Sequence, residues 1–359
     1  MTLELIFVCP GVHTLGDEPA QSHRPGLSKV TDLDYIQFLI AAQGVCTSTE
    51  AARCALNASH DAYTRLLTRL PPDTAALWQE VEPLVALTHG LLVINDTTLD
   101  KPYARKMGLV SRHWSGKHHS VVEGINLTTL LWTDGLSSLP CDCRLYEVAQ
   151  DGQKQITKND HFLAMLQTAK ERGFRPKYVC FDGWYASLEN LKAVRGHGWR
   201  FLTRLKCNRQ VNPDNTENKA VKDIDVPEHG RTVHLKGFGF VQVFRTVAPN
   251  GDAEHKKIEH WATDDLKMEA GERRDLSRQV FAIENYHRAL KQCCGVERAQ
   301  VRSVHAQKCH IVLALRAFVR LEAHRWQTGI SGYAAKASLI RDAIRLYLQR
   351  PTIILGPTA

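Results

Sequence analysis

The chain has 359 residues, 43% of them apolar, with 46 Lys and Arg against 38 Asp and Glu, a formal net charge of +8. That length supports a large core and about two or three structural units. No apolar run reaches the length of a membrane span, and the one near the start, after Glu4, is too short for a signal core. The ten Cys lack the paired spacing of a structural zinc site: Cys141 and Cys143 are one residue apart and Cys293 and Cys294 adjoin. The expectation is a soluble cytoplasmic protein with reduced thiols and no membrane partner.

The charge is unevenly placed. Residues 1–90 hold five Lys and Arg against ten Asp and Glu, a net of −5, so the other residues carry +13. A polyanionic partner would be drawn to the later part of the chain.

In chain order, residues 1–30 are sprinkled with Gly, Pro and His and read as a loose arm. From Asp34 the pattern turns helical, with Tyr35, Phe38, Leu39 and Ile40 apolar and a stop near Gly44. Thr47 to Glu50 form an N-terminal cap for a second helix over 51–56. Asn57 or Ser59 starts a third, through Tyr63, Leu66 and Leu67, and a fourth covers 73–87. This order suits either a DNA-reading helix-turn-helix, with Arg65 and Arg69 on the reading helix, or a plain helical bundle. The local acidic balance favours the bundle.

Residues 91–96 form an apolar strand ending in Asp96, followed by a basic loop over 101–119 with Lys101, Arg105, Lys106, Arg112 and Lys117. Strands are expected over 120–132 and 136–148, with a turn at Thr133-Asp134-Gly135 between them. A helix over 160–172 leads to a second apolar strand, 178–182, ending in Asp182; a helix over 186–194 and a strand over 199–205 follow. A meander followed by alternating strands and helices predicts a mixed α/β sheet. Residues 206–268 break the pattern with alternating runs at 231–247 and 257–263, a small β insertion. No Gly or Pro occurs over 272–294, which predicts one amphipathic helix carrying Glu284, Arg288 and Lys291 on one face. Helices over 304–326 and 334–348 close the chain. The expected units are a loose arm (1–30), a helical domain (31–90), a catalytic domain (91–205 and 269–328) interrupted by the insertion (206–268), and a C-terminal helix and tail (329–359).

An apolar strand that ends in Asp places a charge at a sheet edge, where ligands collect in α/β folds. If the strands of Asp96 and Asp182 are neighbours, a helix over their ends could add Glu284. Three converging carboxylates repel and call for a shared cation. Oxygen ligands suit Mg²⁺ or Mn²⁺, and a pair of such ions is suited to in-line phosphodiester attack. Taken singly, each residue has an ordinary explanation: Asp96 as a turn or cap, Asp182-Gly183 as a turn, Glu284 as part of a solvated ion-pair ladder.

Three stretches carry a family resemblance: Ile94-Asn95-Asp96-Thr97-Thr98, Phe181-Asp182-Gly183-Trp184-Tyr185, and Ile283-Glu284 through His287-Arg288 to Lys291-Gln292. Together they resemble bacterial insertion-sequence transposases of the DDE class, over residues 34–350. The likeness is to the group with a ribonuclease-H-like catalytic domain and a β insertion before the Glu helix. The resemblance implies that Asp96, Asp182 and Glu284 bind two Mg²⁺ or Mn²⁺ ions and carry catalysis. It implies that Lys291, seven residues after the Glu, contacts a DNA phosphate. Val280 and Ser277 stand where that group has Arg and Tyr.

Basic residues bracket the three carboxylates. Residues 195–209 hold Arg195, Arg200, Arg204, Lys206 and Arg209 with no acid, and 284–325 hold eight Lys and Arg against three Glu. Lys291, Arg288, Arg204, Lys206, Arg209 and Lys101 are the candidate DNA contacts. Trp184 and Trp261 could stack on an unpaired base, although core packing suits each better. His118, His119 and His287 could act in acid–base steps, although structural roles suit them better.

The function expected is a metal-dependent DNA transposase that cleaves at terminal inverted repeats and joins the freed 3′-hydroxyl to target DNA. It would work as a homodimer or higher assembly on the bacterial nucleoid. The alternatives are a ribonuclease-H-like metal nuclease that cleaves without joining, and a non-enzymatic DNA-binding regulator using residues 34–70.

Overall fold

The computed structural model describes residues 29–55, 57–116, 118–248 and 257–353. The expected N-terminal arm, all but its last two residues, lies outside them, as do Leu56 and Lys117.

Among the described residues, four short helices come first: α1 (Asp32–Ala41), α2 (Ser48–Cys54), α3 (His60–Arg69) and α4 (Ala75–Val81). Their starts are written locally. Thr31, Thr47 and Ser59 each accept a hydrogen bond from the backbone N–H three residues on, and Asp34 completes a capping box with Thr31. The fourth helix is shorter than its pattern suggested, because a 3-10 turn at Glu82–Leu84 takes over where Pro83 denies the chain an amide donor.

The sheet follows. β1 (Leu91–Asp100), β2 (Ser111–Ser115), β3 (Ser120–Thr133) and β4 (Ser138–Leu145) form the antiparallel part. The helix α5 (Lys158–Glu171), β5 (Tyr178–Phe181), the helix α6 (Leu188–Gly196) and β6 (Phe201–Leu205) add two strands parallel to β1. β7 (Gln210–Asn212), β8 (Lys219–Ala220), β9 (Arg231–Leu235), β10 (Gly239–Ala248) and β11 (Lys257–Thr263) make the insertion. The strand order is β2-β3-β1-β5-β6-β11-β10-β9-β7-β8, with β4 also pairing with β3. The insertion is therefore no separate lobe: β11 pairs antiparallel with β6, from His260↔Leu205 to Thr263↔Leu202, and extends the same sheet. This is a mixed α/β fold of the ribonuclease-H-like kind.

Two expectations about β1 and its surroundings need correction. The strand does not end at Asp96 but continues to Asp100, because β3 stays paired with it as far as Asp100↔Gly124. What ends is its other neighbour: the parallel pairing with β5 stops at Ile94↔Phe181. The basic loop over 101–119 also contains a strand, β2, which pairs with the first half of β3.

The last helices are α7 (Ala270–Val280), α8 (Ala282–Cys293), α9 (Val304–Thr328) and α10 (Gly332–Gln349). The single helix expected over 272–294 is broken at Phe281, whose ring is exposed. The break puts Glu284 in the first turn of α8, where the helix dipole favours a carboxylate. Buried along much of its length, α9 is the spine on which α1, α3 and α4 pack. Arg316 of α9 locks them there. Its guanidinium pairs with Asp32 at 2.7 Å and with Glu80 at 2.6 Å, and Glu80 also accepts from Arg320. In α3, Arg69 donates to the Val30 carbonyl, so it is committed within the helical unit.

Candidate active site

Asp96, Asp182 and Glu284 line one cleft of about 1040 Å³. Its shape follows from the strand pairing. Asn95 and Asp96 are adjacent on β1, so their side chains leave on opposite faces of the sheet. Asn95 reaches α8, where its Nδ2 donates to Glu284 Oε1 at 3.0 Å. Asp96 reaches the face of α5. The two faces communicate because β5 has already ended beside them, and Asp182 is the residue that follows its last strand position.

Asp96 is held by three donors. Tyr185 donates its hydroxyl to Oδ1 at 2.9 Å; Asn126 Nδ2 and Lys158 Nζ donate to Oδ2 at 2.6 and 2.8 Å. Burial alone would raise the carboxyl, but Lys158 and these hydrogen bonds outweigh it and hold Asp96 below the ordinary carboxylate value. Asp182 goes the other way: burial and then the charge of Asp96 raise it, against the Trp184 N–H that donates to Oδ1 at 2.9 Å. Two neighbouring carboxylates thus differ in how well their charge is balanced.

Among the described residues, no three His, Cys, Asp or Glu side chains come together closely enough to hold a metal as they stand. The expected close convergence is therefore not preassembled: Glu284 is tied to Asn95 and Asp96 to Lys158. The donor set is nonetheless all carboxylate oxygen, and the poorly balanced charge of Asp182 beside Asp96 fits a hard divalent cation.

The candidate DNA contacts divide. Lys206 is exposed, with its ammonium 4.9 Å from the centre of the Trp184 ring. Arg288 is exposed on α8, and Arg209 is half-buried beside Lys206 in an adjoining pocket. Arg204 faces the cleft but is paired with Glu259 at 3.0 Å. Lys291 also faces the cleft, donating to the Thr98 carbonyl at 2.7 Å and pairing with Glu297 at 2.8 Å. Lys101 must be reassigned. It is 6% exposed and donates to the carbonyls of Glu297 and Ala299, each at 2.7 Å, so it is a structural cation. Burial lowers its ammonium to about 8, against the smaller opposing effect of Glu297.

The aromatic residues also divide. Trp261 is buried, as core packing predicts, whereas Trp184 is 58% exposed at the cleft mouth between Lys158 and Lys206. His287 is buried and lowered to about 3 by burial and then by Lys291, so it is neutral near pH 7. His118 bonds Asp100 at 3.0 Å.

Four residues at the site were not foreseen as such: Asn95, Asn126, Lys158 and Tyr185. For three, the partner is remote in sequence and nothing local marks it. Lys158 did leave a signal. It is the first residue of α5, behind the cap of Thr157, where the dipole disfavours a cation.

A search of curated proteins finds no match. One similar solved structure is a cryo-EM structure of the piggyBac transposase synaptic complex with hairpin DNA: TM-score 0.47 and 10% identity, covering 90% of this chain and 73% of that one. The family model described as the transposase DDE domain matches residues 97–320, a span that includes Asp182 and Glu284 and opens just after Asp96. The chain belongs to the DDE-domain transposase family.

Proposed function

We propose that this chain is an active DNA transposase that cleaves the ends of its element and joins the 3′-hydroxyl to target DNA, using divalent metal. The supporting observation is the shared cleft: Asp96, Asp182 and Glu284 line it together, and Trp184, Arg204 and Lys291 line it with them. Asp96, Asp182 and Glu284 would hold two Mg²⁺ or Mn²⁺ ions, with Glu284 released from Asn95. Bound there, such ions supply an activated water or 3′-hydroxyl and stabilise the leaving oxygen.

The chain's own residues do the rest. Asn126 and Tyr185 keep Asp96 oriented, and both lie in the core. Lys206, Arg209, Arg288 and Lys291 attract the phosphate backbone, and Trp184 offers a stacking face at the cleft mouth. Residues 91–205 and 269–328 form the catalytic unit, 31–90 a helical domain and 206–268 its sheet extension. We further propose a bacterial insertion-sequence origin and a dimer or larger assembly, since two element ends must be held together.

The test is a strand-transfer assay with Mg²⁺ on DNA carrying the element ends. Wild-type protein gives joined product and Asp182→Ala gives none. Full joining by Asp182→Ala contradicts the proposal; cut DNA without joined product from the wild type points to a nuclease.

A further inference from the structure

Of the three cleft carboxylates, Asp96 has the most donors, and both lone pairs of its Oδ2 are taken, which poses a problem for a metal that would use that oxygen. Both oxygens are engaged: Oδ1 by Tyr185, Oδ2 by Asn126 and Lys158. A cation can bind Oδ2 only if a donor leaves. Asn126 is 1% exposed, and Tyr185 is fully buried with its ring stacked on Phe162 at 5.4 Å. Neither has room to withdraw. Lys158 is different: half-buried at the wall of the cleft, it has a flexible stem and a charge that water or phosphate can receive. Its position at the start of α5 is opposed by the helix dipole, so Asp96 is what holds it there. Trp184, with its ring centre 5.9 Å from the ammonium, already offers a face toward the cleft mouth.

We propose that Lys158 is the resident counter-ion of Asp96, that a divalent cation must displace it from Oδ2, and that DNA phosphate receives the displaced ammonium. Metal binding and DNA binding are then positively coupled, and metal loading is suppressed in free protein. The coupling is reciprocal, so each ligand tightens the other by the same factor. This rests on the proposed metal role of Asp96.

The experiment is Mn²⁺ titration of the full chain by calorimetry, with and without end DNA, for wild type, Lys158→Met and Lys158→Arg. Circular dichroism checks that each is folded. In free protein, Lys158→Met binds Mn²⁺ more tightly than wild type, by about tenfold. DNA tightens Mn²⁺ binding to wild type by about tenfold more than it tightens binding to Lys158→Met, in which only the direct contact between metal and DNA remains. Lys158→Arg, which keeps the charge, retains the DNA effect and serves as the folded comparison if the Met variant is unstable. Equal Mn²⁺ affinity of wild type and Lys158→Met, or loss of the DNA effect in Lys158→Arg, overturns the proposal while leaving the metal site intact. Absence of Mn²⁺ binding in every protein, with and without DNA, overturns both the proposal and the metal role of Asp96.

Discussion

Replacing Tyr185 with Phe removes one atom from the site and little else. The ring stays fully buried against Phe162, with an interplanar angle of 19°. What is lost is the 2.9 Å hydrogen bond to Asp96 Oδ1. A hydrogen bond to a charged group contributes about 1.5–3 kcal/mol, and the low end applies here because the cleft can lend a water. At about 2.1 cal/mol/K per residue, 359 residues give an unfolding entropy of roughly 0.75 kcal/mol/K, so 1.5 kcal/mol corresponds to a Tm lower by about 2 °C. The pH dependence is more specific. Burial raises Asp96, but its partners outweigh that and keep it below its ordinary 3.8. A depressed carboxyl stabilises the fold above its unfolded value, and the contribution is lost as pH falls through the folded value. The Tm gap between wild type and Tyr185→Phe is therefore full at pH 7 and narrows below pH 3.8. DNA cleavage slows by about tenfold if the same energy orients the carboxylate in the reaction. Calorimetry across pH and a cleavage time course measure both effects. A Tm gap that does not change with pH, together with unaltered cleavage, refutes the reasoning.

Lys101→Met leaves the Glu297 and Ala299 carbonyls without their donor and lowers stability by about 2–4 kcal/mol, measured by denaturant unfolding, with the salt dependence of DNA binding unchanged. Because burial lowers Lys101 to about 8 from 10.5, the unfolded chain binds more protons between those values, and this group's contribution to wild-type stability rises across that window. Arg316→Met strips Asp32 of its pair and Glu80 of one of two; it costs about 3–5 kcal/mol, and limited proteolysis finds the N-terminal helices cut first. Lys206→Ala reduces the slope of log affinity for DNA against log salt by about 0.9 and leaves the Tm within error.

Much of the fold was legible because its signals are local. Caps at Thr47 and Ser59 mark α2 and α3, and the apolar runs of β1 and β5 are buried as their composition requires. Two apolar strands each carrying an Asp near its end were legible as sheet neighbours, and β1 and β5 do pair in parallel, which brings Asp96 and Asp182 to one cleft. What escaped depends on pairing between distant segments. The half of β1 beyond Asp96 is polar and looks like loop, yet β3 holds it as strand. β2 is short and basic, and only the edge of β3 makes it a strand. The break at Phe281 has no Gly or Pro to announce it. Lys101 looked like a surface cation because nothing nearby shows that the carbonyls of Glu297 and Ala299 enclose it. Trp184 looked like core, and only the placement of the cleft exposes it.

The central claim is that Asp96, Asp182 and Glu284 bind the catalytic cations together. The most direct measurement is an anomalous difference map from crystals of the protein with end DNA and Mn²⁺. The expected result is density within about 2.2 Å of carboxylate oxygens of Asp96 and Asp182, with Glu284 turned away from Asn95 toward the same density and Lys158 withdrawn from Asp96. Manganese bound elsewhere, with the Lys158–Asp96 and Asn95–Glu284 contacts intact, contradicts it.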